Sequence, residues 1–597
     1  MAVQRILHLL SQTHLTGAEV CAMTLAEEQM RLGHHCVIVA DCLSYPTTAQ
    51  TLEIPVHHAR GGQRALSLQQ LGELIREQQI SLIHSHSRAA ARLAQVLAKR
   101  FALPHLAQVH GRQGVHWNSR WRSHPYGRTL AAMCGNVRQH LISDLAMLAG
   151  QISVLPNPIV APTLPAPDAA NPAAAKPCLL WIGRYTGPKG ELAKTLVFSV
   201  LPHLPPLTLL MVGGPAWPAD WPAAPQGVEV LGQQDDIAPW LARADVVIGG
   251  GRVPFEAALA GRSAYAVGEA GVVGFLSADN LPLAKASNNG DVAPAPAISA
   301  QRLIADLGGW LHHAAPAPRL DPAALADYAP AQVVQTLARR YRHAQLDAAT
   351  RNFREIPVLL YHRVVNEAPT DSKFNVFVTA ATFRQHLTQL KAMGCSAISA
   401  ADLLAGRVPA RPVLLTFDDG YRDNLEVALP LLREFNAKAT IFCMGDRSLR
   451  SNVWDQALGE PPAELMNDDE LRACHASGLI EIASHGLRHH HLPTLSNDAL
   501  QAEIAESRAN LEAVIQAPVT SFAYPYGEYG ARERAAVEAV YDLGWGTVNG
   551  PLHAAQDPYR LRRITIFPRD DGKRIKRKCS GWYLRYRRIR NKDGPYA

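Results

Sequence analysis

No stretch of this 597-residue chain reaches the roughly 18 consecutive apolar residues of a membrane-spanning helix, so an integral helical membrane protein is not the reading. Met1 to Arg5 leads into the apolar Ile6 to Leu10, but polar Ser11 to His14 follow with no small-residue cleavage site, and no secretory leader is expected. Cysteine is scarce. The nine present are an odd number scattered without disulfide or metal-ligand spacing, which excludes a disulfide scaffold and fits reduced thiols in the cytoplasm. Acidic residues fall short of basic ones, for a formal net charge of +7, yet the surplus is local. Nine Lys or Arg and no acid lie between Lys573 and Arg590, and without them the chain is slightly acidic. No nucleic acid partner is therefore expected. Trp582, Tyr583 and Tyr586 interleave with these cations, a pattern suited to peripheral contact with an anionic surface at the inner face of the cytoplasmic membrane.

What is present is organised around Val413 to Gly420, V-L-L-T-F-D-D-G. An apolar run entering two adjacent carboxylates and a glycine predicts a buried strand that delivers Asp418 and Asp419 to its C-terminal end. Consecutive side chains on extended backbone point in different directions. One carboxylate can thus ligate a metal while its neighbour takes a proton from water. Two imidazoles four residues apart follow in Ser484-His485-Gly486-Leu487-Arg488-His489. They can meet one ion with Asp419 if a helical turn starts there, giving the two-histidine, one-carboxylate set of metal-assisted hydrolysis.

With the loop Phe522-Ala523-Tyr524-Pro525-Tyr526-Gly527, these motifs make residues 355 to 570 resemble the polysaccharide deacetylase family of the NodB-homology fold, a distorted (β/α) barrel. The resemblance implies Asp418 as general base and Asp419, His485 and His489 as ligands of a divalent metal, zinc first, with manganese, cobalt or nickel as alternatives. It also implies an oxyanion donor at Tyr526, beside Pro525. Two departures stand out. Many relatives hold the base aspartate with an arginine at the start of the third motif, where this chain reads Phe522-Ala523, so Asp418 has no assigned partner. The late Leu-x-x-His that supplies a general acid is absent from Arg560-Leu561-Arg562-Arg563-Ile564. His362, in Tyr361-His362-Arg363, is the first alternative for that role, with His553 and His491 behind it.

Earlier in the chain, apolar strands alternate with glycine turns and helical runs, the pattern of α/β domains. Strands are expected at 3–10, 35–40, 80–84 and 107–110, and after a Pro- and Ala-rich linker at 160–177, again at 178–182, 207–212 and 228–231. Arg184 and Lys189 follow a strand across a glycine-bearing loop, where two cations and a helix start suit a diphosphate. Taken in order, Gly17, His86, His110, Asn157, Arg184 to Lys189 and Glu256 to Gly261 make residues 1 to about 345 resemble the family 4 glycosyltransferases, whose GT-B fold pairs two Rossmann-like domains. The resemblance implies a nucleotide-sugar donor, expected to be a UDP-sugar, near Gly17, with Arg184 and Lys189 on its diphosphate and Glu256 on its ribose. A second glutamate, eight positions before Glu256 in many relatives, is Ile248 here, inside a run of glycines.

The expected architecture is α/β throughout: GT-B domains at 1–165 and 176–350, a deacetylase barrel at 355–570 and a basic aromatic tail at 571–597. A transferase fused to a deacetylase suggests attachment of an N-acetylhexosamine to a lipopolysaccharide-core or lipid-linked saccharide, then removal of the acetyl group. The alternatives are a soluble small-sugar or nucleotide-sugar deacetylase with an inactive transferase half, or a non-catalytic glycan-binding scaffold.

Overall fold

The computed structural model describes residues 3–11, 17–43, 46–57, 61–114, 126–165, 176–214, 217–312, 317–353, 355–553 and 556–590. Thr16 beside the expected glycine turn, most of the proposed linker and residues 591–597 lie outside them. The chain forms two compact units that divide between Arg340 and Tyr341, inside the helix Pro330–Thr350.

The first unit holds two sheets. Strands β1 (Arg5–Leu9), β2 (His35–Ala40), β3 (Gln50–Glu53), β4 (Leu82–Ser85), β5 (His105–Val109), β6 (Leu130–Ala132) and β7 (Ile152–Val154) are all parallel in the order β3-β2-β1-β4-β5-β6-β7. The second sheet contains β8 (Cys178–Ile182), β9 (Thr208–Val212), β10 (Val228–Gly232), β11 (Val246–Gly249), β12 (Ser263–Val267) and β13 (Val272–Phe275). Its order is β10-β9-β8-β11-β12-β13, with only the last strand antiparallel. Both orders reverse direction beside their first strand, as Rossmann-type sheets do, and such reversals open a ligand crevice at the strand C-termini. The inner strands are continuous apolar runs because helices cover both faces; Leu179, Leu180 and Trp181 of β8 are essentially inaccessible to solvent.

The second unit is a closed barrel. Strands β14 (Val358–Tyr361), β18 (Pro412–Phe417), β19 (Ala439–Cys443), β20 (Ile480–Ser484), β21 (Ser521–Ala523), β22 (Leu543–Asn549) and β23 (Leu561–Thr565) pair in parallel, and β14 closes the ring by pairing with both β18 and β23. A further strand, β17 (Ser396–Ile398), adds to β18, and a separate parallel pair forms from β15 (Arg363–Val365) and β16 (Phe377–Thr379). All six residues of β18 are buried, as its apolar sequence predicts.

The stretch expected as a tail is folded against this barrel. Helices Gly572–Lys578 and Gly581–Arg590 bury Ile575, Tyr583 and Leu584. Lys578 Nζ donates to Asp570 Oδ2 at 2.6 Å and to the Thr565 carbonyl at 2.8 Å. The charge run concealed an apolar residue at every helical turn, and those residues dock it. No described helix is long and apolar enough to cross a membrane.

Candidate functional site

Parallel strands place the deacetylase motifs at one end of the barrel. Asp418 and Asp419 follow β18, His485 follows β20, His362 follows β14 and Pro525-Tyr526 lie just beyond β21. Asp419 leaves the strand in the left-handed region (φ 73°), as does Gly420 (φ 73°). At Gly420 any Cβ would also meet Cys443 Sγ at 2.9 Å, so the fifth position of T-F-D-D-G accepts only glycine.

Asp419 Oδ1 lies 3.4 Å from His485 Nε2 and 3.5 Å from His489 Nε2. All three residues are buried, and Asp419 Oδ1 has no hydrogen-bond partner among the described residues. His485 Nδ1 donates to the Ala523 carbonyl at 2.8 Å, which turns its Nε2 lone pair towards Asp419. Burial, followed by the Asp418 charge, drives the Asp419 carboxyl well above its ordinary range. A carboxyl oxygen with no donor, facing two imidazole nitrogens, and a carboxyl that burial resists ionising unless a positive charge joins it, fit a divalent cation, which Asp419, His485 and His489 would hold. The helical turn expected between the two histidines is not there. Residues 485–490 form a loop in which Gly486 (φ 86°) and His489 (φ 62°) are left-handed, and Glu503 Oε1 accepts from the Arg488 N–H at 2.8 Å.

The missing partner of Asp418 is Arg563, from the middle of β23. Its Nη1 and Nη2 donate to the two carboxylate oxygens at 2.6 and 2.8 Å, and its Nε donates to the Gly546 carbonyl at 3.0 Å. The side chains are 0% and 3% exposed. Burial alone would raise Asp418, but the guanidinium and then His485 overcome it and hold the carboxyl at about 2. Asp418 is therefore held as an anion. His362 sits in the same field: burial lowers its imidazole to about 4 against the pull of Asp418, and its Nδ1 is buried without a partner among the described residues. Aromatic rings wall the mouth. Trp454 stacks on His489 with centroids 4.6 Å apart, and His491 stacks on Tyr526 at 3.9 Å, leaving His491 in the wall, with Nδ1 on Glu528 at 2.8 Å.

In the first unit, Gly17 opens the helix Gly17–Arg31. Arg184, Lys189 and Glu256 come to the C-terminal side of the second sheet, each already paired: Arg184 with Glu269 at 3.2 Å, Lys189 with Asp291 at 2.9 Å and Glu256 with Arg252 at 3.0 Å. Asp291 lies against the glycine run; a Cβ on Gly250 would meet its Oδ1 at 2.5 Å and one on Gly251 its Oδ2 at 2.8 Å. Arg252 was not singled out by the motifs, yet its Nη1 is buried without a partner among the described residues. Across the first sheet runs a chain of imidazoles. His8 Nε2 meets Gln29 Oε1 at 2.8 Å, His8 Nδ1 meets His86 Nε2 at 3.0 Å, His86 Nδ1 meets His110 Nε2 at 3.2 Å and His110 Nδ1 meets Asn157 Oδ1 at 3.1 Å.

Comparison with known proteins finds one family match within each unit. Glycosyltransferase Family 4 matches residues 15–161, and Polysaccharide deacetylase matches residues 405–543. The chain carries a family 4 glycosyltransferase domain followed by a polysaccharide deacetylase domain. The deacetylase part is similar to the putative polysaccharide deacetylase YxkH of Bacillus subtilis, 27% identical over 220 residues, which are 36% of this chain and 72% of that protein. Among solved structures, the Streptococcus pyogenes deacetylase PplD in complex with acetate is 25% identical, covering 38% of this chain and 98% of that one with a TM-score of 0.33. A glycosyltransferase from Rickettsia africae is 16% identical, covering 57% and 98% with a TM-score of 0.44. The pairing of the two domains makes this a glycan-modifying enzyme.

Proposed function

We propose that the chain transfers an N-acetylhexosamine from a UDP-sugar to a lipopolysaccharide-core or lipid-linked saccharide and hydrolyses the N-acetyl group. One observation carries the hydrolytic half: a carboxylate held ionised by a bidentate arginine lies beside an aspartate and two histidines arranged for a cation. A divalent metal bound there, zinc first, supplies Lewis-acid polarisation of the amide carbonyl. Asp418 accepts a proton from water as the water oxygen adds to that carbonyl. A backbone N–H in the Pro525-Tyr526 turn donates to the developing oxyanion. His362, neutral at rest, relays to the leaving amine the proton that water gave up to Asp418. Acetate and a free amine leave.

The test measures acetate release from N-acetylglucosamine oligomers by the full chain, with metal content read alongside. Asp418→Asn keeps the metal and loses the rate by a factor of about 100 or more, whereas His485→Ala or His489→Ala loses both. Metal retained with turnover near that of the parent in all three variants would sink the assignment.

A second reading, a small-sugar deacetylase with a silent transferase half, has one observation in its favour: Arg184, Lys189 and Glu256 are each neutralised from within. Titration with UDP separates the two. An active half binds UDP and weakens on Arg184→Ala; a silent half binds none.

A further inference from the structure

His8, His86 and His110 stand in a row between two side-chain amides, and the row is one hydrogen short. Gln29 Oε1 faces His8 at one end and Asn157 Oδ1 faces His110 at the other. Each amide oxygen carries a second donor, the Cys36 thiol at 3.5 Å on Gln29 and Gln108 Nε2 at 3.4 Å on Asn157. Both ends of the row therefore present acceptors. Burial holds all three rings neutral, His8 and His110 at about 4 and His86 well below the ordinary histidine value, and a neutral ring has one N–H. His8 and His110 spend theirs on the amides. The single hydrogen of His86 is left to serve two links between rings, of 3.0 and 3.2 Å. One of these links then sets lone pair against lone pair, which is repulsive unless a cation joins them. Without a cation, one amide has to turn its nitrogen inward and lose its second donor. Two nitrogens on one tetrahedral zinc lie about 3.3 Å apart, so either link has the spacing of a shared ion.

The row offers two positions for such an ion. His8, His84 and His86 form one group and Cys21, His86 and His110 another, each with its ligand atoms within 4.8 Å of one another. The first group has no anionic ligand to offset a buried dication. The second has a thiol: Cys21 Sγ faces Gln108 Nε2 at 3.7 Å, and as a thiolate it offsets part of the charge. His86 and His110 also line a cavity of about 470 Å³, and they follow β4 and β5 at the C-terminal edge of the first sheet. Three protein ligands with one side open is the form of a catalytic zinc site rather than a structural one. With an ion on His86 Nδ1 and His110 Nε2, His86 Nε2 donates to His8 and every remaining link has its hydrogen.

We infer that Cys21, His86 and His110 hold a borderline-soft divalent cation of the zinc class, whose open position faces the cavity and takes water or a sugar hydroxyl. The site shares no residue with the deacetylase centre, and it does not depend on the transferase reading.

Cobalt(II) is the probe, added to the chelator-stripped full chain and followed by absorbance, with metal per chain counted in parallel. The deacetylase centre offers cobalt only oxygen and nitrogen, so a thiolate-to-cobalt charge-transfer band reports Cys21. The parent binds two ions and shows the band. His485→Ala with His489→Ala lowers the count to one and keeps the band. Adding Cys21→Ala to that variant removes the band and weakens the remaining ion about tenfold or more. His110→Asn, at the less buried end of the group, weakens the same ion, so the test does not hang on one buried substitution. No band in the parent, a band that survives Cys21→Ala, or full affinity in His110→Asn overturns the inference. So does an ion bound without a band when the deacetylase ligands are gone, which belongs to His8, His84 and His86. A parent that binds one ion, with the band kept after His485→Ala and His489→Ala, supports this site and fails the metal reading of the deacetylase centre. One ion without the band, lost in that variant, does the reverse.

Discussion

At Arg563 a single side chain commits three of its five N–H donors to the deacetylase centre, two on Asp418 and one on the Gly546 carbonyl. Arg563→Met leaves Asp418 buried without its counter-charge, and acetate release falls about 100-fold or more while bound metal is retained. Arg563→Lys keeps a charge but loses the fork that grips both oxygens, so it recovers only part of the rate. Steady-state kinetics with metal analysis checks the order parent, Lys, Met. Equal rates in all three would remove Arg563 from the mechanism. Asp418, Asp419, His485 and His489 were legible because each sits in a short motif where a strand ends. Arg563 was not. It stands 145 residues from its partner among Arg560, Arg562 and Arg563, and only the pairing of β23 with β22 and β14 selects which arginine faces the centre. Arg252 escaped for a like reason, since its partner Glu256 lies one turn away and such a pair looks like any exposed helix pair.

The C-terminal helices show how composition misleads at the next scale. Their cations dominate the sequence, but the helix Gly581–Arg590 has two apolar faces. Tyr583 and Leu584 dock on the barrel, while Trp582, Tyr586 and Ile589, 65%, 44% and 59% exposed, form an outward row at helical spacing. Deleting residues 572–597 removes the buried Ile575, Tyr583 and Leu584 and with them about 2 kcal/mol of apolar burial each, and deprives Asp570 of Lys578. The barrel unit then unfolds at clearly lower urea concentration. Trp582→Ser with Ile589→Ser touches only the outer row, so the urea midpoint stays and sedimentation with anionic vesicles falls. A deletion without effect on the midpoint would contradict the docking, and unchanged sedimentation in the double variant would remove the membrane contact. The loop from His485 to His489 was misread at this scale too. Four-residue spacing suggests a helical turn, but a left-handed His489 reaches the same end, and left-handed backbone in a non-glycine residue leaves no mark in sequence.

On the scale of the whole chain, acid acts on the first unit through a group of buried imidazoles. Burial lowers His8 and His110 to about 4, and takes His84 and His86 well below the ordinary histidine value. Below pH 6.5 an unfolded chain takes up protons that these folded imidazoles refuse, so stability of the first unit drops as pH falls, by roughly 3 kcal/mol for each of His8 and His110 on reaching pH 4. Urea unfolding of the full chain at pH 7 and pH 5, read by hydrogen-exchange pulses at one fixed pH, follows each unit separately. The first unit's midpoint falls on acidification; a constant midpoint would show that the rings are not neutral inside. Neutral rings also settle how protons are placed in the imidazole chain. With no cation in the row, each neutral ring donates from one nitrogen and accepts at the other, so the three ring hydrogens all run the same way along it. Four links need four hydrogens and three neutral rings supply three, so one of the two end amides, Gln29 or Asn157, turns its NH₂ inward. The row then behaves like a line of dominoes. No ring can change tautomer alone, and a substitution at Gln29 resets which nitrogen His110 shows to the cavity beside it.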